Sequence, residues 1–303
     1  MITLARTVLG DLAPSELGTT NYHEHLFQVS PLLPGEDLDE EAASTREATR
    51  LRNSGFASMV DATPLGLGRR PDAIARIAAT TGLNIIATTG AHREEHYGAH
   101  HWIREFTEST LADRFTTELT TGMDDTAIRA GLLKAGIGYW RISTFERTVI
   151  AAVAAAHRVT SAPVMVHLEH ASAGFEVLEL LRLSGVAAHA VVLAHVDRNP
   201  DPVLHADLAA TGAYLGYDGW ARFKDWPEST LVDCAVRAIE LGAGERIVIG
   251  GDVARRTRYV EYGGMPGLQH LGDRVLPRFR SAIGAELTRG ITTLNPARLL
   301  ARF

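Results

Sequence analysis

Short apolar runs rich in β-branched residues recur along the chain, separated by longer segments whose apolar positions repeat with helical period. Eight such runs occupy residues 19–22, 58–63, 84–89, 132–137, 163–168, 190–196, 212–217 and 246–251. Between them the spacing predicts helices over 70–81, 145–160, 174–184, 202–211 and 231–242, several closed by a glycine where a helix should stop. Strands alternating with helices are the signature of βα units around a parallel sheet. Eight units favour an α/β fold of the closed (β/α)8 TIM-barrel type over an open doubly wound sheet, which more often has about five or six strands. Residues 99–130 are long for one connection and should hold a helix plus an excursion. The tail should carry a helix near 271–283 before the closing Asn295-Pro296-Ala297-Arg298-Leu299-Leu300.

Composition narrows this picture. With 303 residues and 46% hydrophobic content, the chain can bury one large core, so a single domain over 1–303 is expected. A net charge of −6 with scattered arginines offers no basic stripe for nucleic acid, which leaves a small-molecule substrate as the expected partner. Cys234 is the sole cysteine, so neither an internal disulfide nor a thiolate zinc site can form. The start, Met1-Ile-Thr-Leu-Ala-Arg-Thr-Val-Leu-Gly10, lacks a basic segment, a long apolar run and a small-residue cleavage site, and no apolar stretch approaches bilayer length. A cytoplasmic protein without membrane association is expected. No GxGxxG follows an early strand, which disfavours a nicotinamide oxidoreductase.

Barrel active sites are assembled from strand C-termini and the loops after them. The first run ends in His23-Glu24-His25, the fourth contains Lys134, the fifth and sixth reach His167 and His195, and the eighth ends at Asp252. Residues two apart on a strand face the same side, so His23 and His25 can share one metal. Each histidine alone reads equally as a hydrogen-bonded interior residue. Four imidazoles and a carboxylate at strand ends together point to divalent metal, because burying so many unpaired would be costly. Lys134 either points outward to a salt bridge, or sits inside with a lowered pKa, where a neutral amine can take up carbon dioxide as a bridging carbamate. Asp252 is placed to shuttle a proton from the nucleophile, or serves purely as a ligand.

The segments Gly18-Thr-Thr-Asn-Tyr-His23-Glu24-His25-Leu26, Ala130-Gly-Leu-Leu-Lys134, Val164-Met-Val-His167, Leu193-Ala-His195, Gly250-Gly-Asp252 and Asn295-Pro-Ala-Arg298, in this order across the chain, resemble the phosphotriesterase family of the amidohydrolase superfamily. The resemblance implies that His23, His25 and Asp252 bind a more buried metal, that His167 and His195 bind a more exposed one, and that carboxylated Lys134 bridges both together with a hydroxide. It also implies a homodimer, a reading to which the aromatic loop around Trp102 adds. Zinc is the expected metal, although manganese, cobalt and iron accept the same donors. The expected reaction is attack of the metal-bridging hydroxide on an ester-like bond in a lactone, carboxylic ester or organophosphate triester. The alternatives are an amidase for a small N-acyl compound and a catalytically silent barrel that binds a small molecule. Phosphotriesterase-like lactonases commonly carry a tyrosine after the third strand, where this chain has Ala91-His92-Arg93.

Substrate contacts are expected from His92, Tyr97 and neighbours (Arg93, His96, His100, His101, Trp102) after the third strand, and from Arg255, Arg258 and neighbours (Arg256, Tyr259, Tyr262) after the eighth. The same residues could form loop-internal salt bridges or a subunit contact. Trp140 after the fourth run, with Tyr217, Asp218 and Trp220 at the end of the seventh, could form an aromatic wall. Glu169 and His170 could orient His167 or lie on the surface.

Overall fold

The computed structural model describes residues 3–222 and 226–302. Eight strands, β1 (Thr20–Glu24), β2 (Ser58–Asp61), β3 (Asn84–Gly90), β4 (Leu132–Gly136), β5 (Val164–His167), β6 (Val191–Ala194), β7 (Tyr214–Tyr217) and β8 (Ile247–Ile249), pair in parallel in sequence order. The first and last meet through backbone, where the Gly251 and Asp252 N–H groups donate to the His23 carbonyl at 3.1 and 3.0 Å. This closes the barrel that the alternation predicted. The strands are nearly continuous apolar runs because both of their faces are covered.

Helices α1 (Glu41–Asn53), α2 (Pro71–Thr81), α3 (Glu108–Thr120), α4 (Thr144–Thr160), α5 (Gly174–Leu183), α6 (Pro202–Ala210), α7 (Glu228–Glu240) and α8 (Leu276–Arg289) each follow one strand, and α9 (Asn295–Leu300) ends the fold. α3 fills the long connection at 99–130. The tail helix begins later than the periodicity indicates, at Leu276, after a wide turn over Leu271–Val275, and it kinks at Gly284 (φ 79°). Among the described residues no helix is long and apolar enough to cross a membrane.

Two apolar layers result. Tyr22, Val60, Ile86, Leu132, Met165, Val192, Tyr214 and Val248 plug the barrel interior. Their strand neighbours, among them Met59, Ile85, Leu133, Val164, Leu193 and Leu215, pack outward against the helices. Period-two alternation along each strand therefore decides which side chains reach the barrel mouth. A register shift in β1 between Asn21 and Glu24 breaks that alternation, so Tyr22 and His23 both face inward. Backbone approach fixes Gly90 at the end of β3: its φ is +103°, and a Cβ there would lie 2.1 Å from the Lys134 carbonyl oxygen.

Gly90→Ala should therefore lose at least about 2 kcal/mol of unfolding free energy, combining strain with overpacking. Gly82→Ala, also at positive φ (+69°) but with open space around it, should lose only the strain, about 1 kcal/mol. Urea unfolding of the two variants checks this, and equal losses would show that contact with β4 is not what fixes Gly90.

Candidate metal centre

The four histidines at the strand ends share one hydrogen-bonding logic. His23 donates through Nδ1 to Asp218 Oδ2 (3.1 Å), and His195 through Nδ1 to Asp218 Oδ1 (2.6 Å). His25 Nδ1 donates to Thr63 Oγ1 (2.7 Å), whose own hydroxyl donates to the Phe27 carbonyl. His167 donates through Nε2 to Glu169 Oε1 (2.7 Å). Each ring thus gives away one N–H and keeps the other nitrogen as a lone-pair donor. Two of these bare atoms, His23 Nε2 and His167 Nδ1, are buried and have no partner among the described residues. Orphaned buried ring nitrogens aimed into a mouth fit a metal ion.

His23, His25 and Asp252 bring one ligand atom each within 4.8 Å of one another, with Asp252 Oδ1 3.7 Å from His23 Nε2 and 3.6 Å from His25 Nε2. A second group of the same tightness joins His23, His195 and Asp218. There Asp218 engages the Nδ1 atoms and also accepts from the Tyr22 hydroxyl, so it orients the rings rather than competing for metal. His195 and Asp252 both lie past their strands in left-handed conformation (φ 66° and 40°), which turns them into the mouth.

Burial sets the charge states. It holds His25 and His195 near pKa 3 and His167 well below its ordinary value, leaving neutral imidazoles, the form that ligates metal. Lys134 is wholly buried on β4; its Nζ donates to the Ala62 carbonyl at 2.9 Å, and burial lowers it to about 8 against the pull of Asp252, Asp218 and Asp61. Burial alone would raise Asp252, but Arg222, His23 and His195 hold it well below the usual carboxylate range. Arg198 Nη2 reaches its Oδ2 at 3.0 Å, and Arg222 contacts the same oxygen. Burial and Asp252 raise Glu24, the middle residue of the HxH segment, to about 8; it accepts from the Val253 N–H and the Tyr259 hydroxyl and ties β1 to the loop after β8.

The pocket over this centre is about 220 Å³, lined by the four histidines, Lys134 and Asp252, by His92, Arg93, His96 and Glu169, and by Arg198, Arg222 and Arg255. His92 and Arg255 therefore stand where substrate contacts were expected. His92 accepts the Arg93 N–H at Nδ1 (2.8 Å) and stacks between His96 and His167.

Other expected contacts lie elsewhere. Tyr97 is buried behind the loop, its hydroxyl donating to the Leu65 carbonyl and accepting the His92 N–H. Tyr217 is outward by parity: its hydroxyl meets His205 Nδ1 on α6 (2.6 Å), whose Nε2 caps the Val196 and Asn199 carbonyls. Trp220 donates to the Tyr217 carbonyl, away from the mouth. Arg258 stands behind Arg255 and Arg222, where burial and those two cations lower it to about 10. Trp140 is 64% exposed and lines a separate cavity with His170. Tyr262 and Arg256 bond Ser44 and Glu40, and His101 caps the turn at Ile103. The residues that sequence reading undervalued are Asp218, Arg198 and Arg222. Asp218 was legible by parity, being four residues after inward-facing Tyr214, whereas nothing in the local sequence marks the two arginines.

A model of the phosphotriesterase family matches residues 4–300. The chain belongs to the phosphotriesterase family. The solved structure of a lactonase from Listeria monocytogenes superposes with a TM-score of 0.94 at 31% identity, covering 99% of this chain and 100% of that one. The phospho-furanose lactonase of Mycoplasmopsis synoviae is 27% identical over 98% of this chain and 91% of its own. The N-acetyltaurine hydrolase of Homo sapiens is 26% identical over 95% and 92%, respectively.

Asp218→Asn keeps the size but cannot accept from both imidazoles and the tyrosine. Zinc affinity, read by competition with a chromogenic chelator, should fall roughly 10- to 100-fold, as for other partners that orient metal ligands. Unchanged affinity would show that the rings are held without it.

Proposed function

We propose that this family member is a binuclear metal-dependent hydrolase of lactone-type substrates that carry an anionic group. The observation that carries the reading is the set of bare ring nitrogens facing Asp252 at the barrel mouth. His23, His25 and Asp252 would hold one ion and His167 and His195 the other, with Lys134 between them as carbamate. Its lowered pKa supports that role, since the neutral amine that attacks carbon dioxide is far more populated near neutrality than in an ordinary lysine. Two bound divalent ions supply Lewis acidity at a carbonyl or phosphoryl oxygen and a water acidified towards neutrality.

The chain's own residues do the rest. Asp252, kept ionised by Arg222, His23 and His195, accepts the proton of the attacking water and passes it to the leaving oxygen. Glu169 holds the His167 ring, and Asp218 holds His23 and His195. Arg255, beside Arg198 and Arg222 that Asp252 engages, gives the small pocket a cationic wall suited to a phosphate or carboxylate. The phospho-furanose lactonase among the relatives fits such a wall. A second reading, cleavage of a short anionic N-acyl compound, draws on the N-acetyltaurine hydrolase relative and needs the same groups plus protonation of the leaving amine.

Prolonged chelation should abolish lactone hydrolysis, and zinc or manganese should restore it. Lys134→Ala should lose metal and regain it with a short carboxylic acid in the buffer, whereas unchanged metal content would place the bridge elsewhere. Arg255→Ala should lower kcat/KM for a phosphorylated γ-lactone about tenfold, the weight of one charge-assisted hydrogen bond, with much less effect on an uncharged lactone. Equal effects on both substrates would remove the anion-binding role.

A further inference from the structure

A second and larger cavity, about 880 Å³, opens beside the metal pocket. The two share Glu169 and Arg198 as a common wall. That wall is tightly held: Glu169 accepts from His167 and pairs with Arg93 Nε at 3.3 Å, while Arg198 reaches Asp252. The second cavity therefore begins one side chain away from the groups placed at the metals.

Its lining is unusual for a monomer surface. Tyr139, Trp140, Phe175 and Trp226 stand 63%, 64%, 45% and 46% exposed around one concavity. Large aromatic side chains gathered in a cleft beside a reactive centre mark a ligand site. Two of them are tied to the shared wall. Trp226 Nε1 donates to the Arg198 carbonyl at 3.3 Å. The Trp140 backbone N–H donates to Ser172 Oγ (3.1 Å), and that hydroxyl donates to the Glu169 carbonyl (2.6 Å). Trp140, His170, Ala171 and Ala173 all adopt left-handed φ between 47° and 56°, a cost that a loop sustains only when its surroundings over-determine it. Of the charged groups in the described lining, Glu169 and Arg198 are engaged by His167 and Asp252 and Glu176 stands exposed, so the aromatic part of the space suits an uncharged group.

Size adds a further constraint. At 220 Å³ the metal pocket falls below the roughly 300–1,000 Å³ usual for small-molecule sites and accommodates one small ring. We propose that the aromatic cavity is a second substrate subsite, seating an uncharged ring, aryl or glycosyl, attached to the ester-type substrate whose scissile bond lies in the metal pocket. The ring face stacks on Trp140 and Trp226, with Asn199 and His170 at its rim. This rests on the hydrolase reading above and extends it to substrates larger than a single lactone ring.

The test compares kcat/KM for γ-lactones bearing a phenyl or a glucosyl substituent with that for the parent lactone. The purified protein should prefer at least one extended series by tenfold or more, and the double variant Trp140→Ala/Trp226→Ala should bring that ratio close to one; which series is preferred identifies the ring. A ratio that the double variant leaves intact would overturn the subsite. Tryptophan fluorescence titrated with phenol or methyl β-glucoside reads the cavity without turnover. Saturable quenching by one probe, absent in Trp140→Phe/Trp226→Phe, would support the subsite even if every lactone proved inert, an outcome that would sink only the hydrolase reading. Absence of quenching by either probe would count against the subsite. Light scattering covers the remaining occupant: a dimer that Phe175→Glu converts to monomer would assign the cavity to a second copy of the chain and overturn the proposal.

Discussion

One carboxylate organises the mouth of this barrel. Asp218 is fully buried at the end of β7 and accepts from Tyr22 and His23 of β1 and from His195 after β6. An unpaired buried carboxylate would be costly, but three donors compensate it, and His195 and His23 hold it ionised despite its burial. Because it engages both rings through Nδ1, it presents both Nε2 atoms to the mouth. The interior is shaped around the same contact: a Cβ at Gly216 would strike the Tyr22 hydroxyl, so glycine there lets the tyrosine cross the barrel to reach Asp218.

Around that anchor the electrostatics are layered. Imidazoles held neutral by burial line the bottom of the pocket, and Lys134 enters from β4 with a weakened hold on its proton. Above them Asp252 is clasped by Arg198 and Arg222, with Arg255 and Arg258 beyond. This order, neutral donors below and guanidinium groups above, suits a reaction in which charge develops at a small oxygen centre while a permanent anion is gripped a few ångströms away.

Much of this was legible in the chain because a barrel imposes simple rules. Continuous apolar runs such as Val164-Met165-Val166 must be doubly covered strands, and the residues just past their ends must stand at the mouth. Legibility failed where a local exception broke the rule. The register shift in β1 carries the strand on to Glu24 and turns Tyr22 and His23 to the same side. A left-handed His195 ends β6 earlier than its apolar run does. Tyr217 and Asp218 are adjacent in sequence but face opposite layers, so grouping them as one wall ignored the parity that separates them. Arg198 ends a single 3-10 turn and Arg222 lies on a loop, where no periodicity reports direction, and only the fold brings them to Asp252. The aromatic character of Trp140 was visible, but its seat over a separate cavity depends on a left-handed backbone that no local pattern announces.

A binuclear centre requires that the bare nitrogens of four histidines, Lys134 and Asp252 together hold two metal ions. The most direct test is elemental analysis of protein purified without chelators, counted per chain. Close to two divalent ions per chain is the predicted result. A chain that holds none, even after reconstitution with zinc, manganese, cobalt or iron, would contradict the binuclear reading.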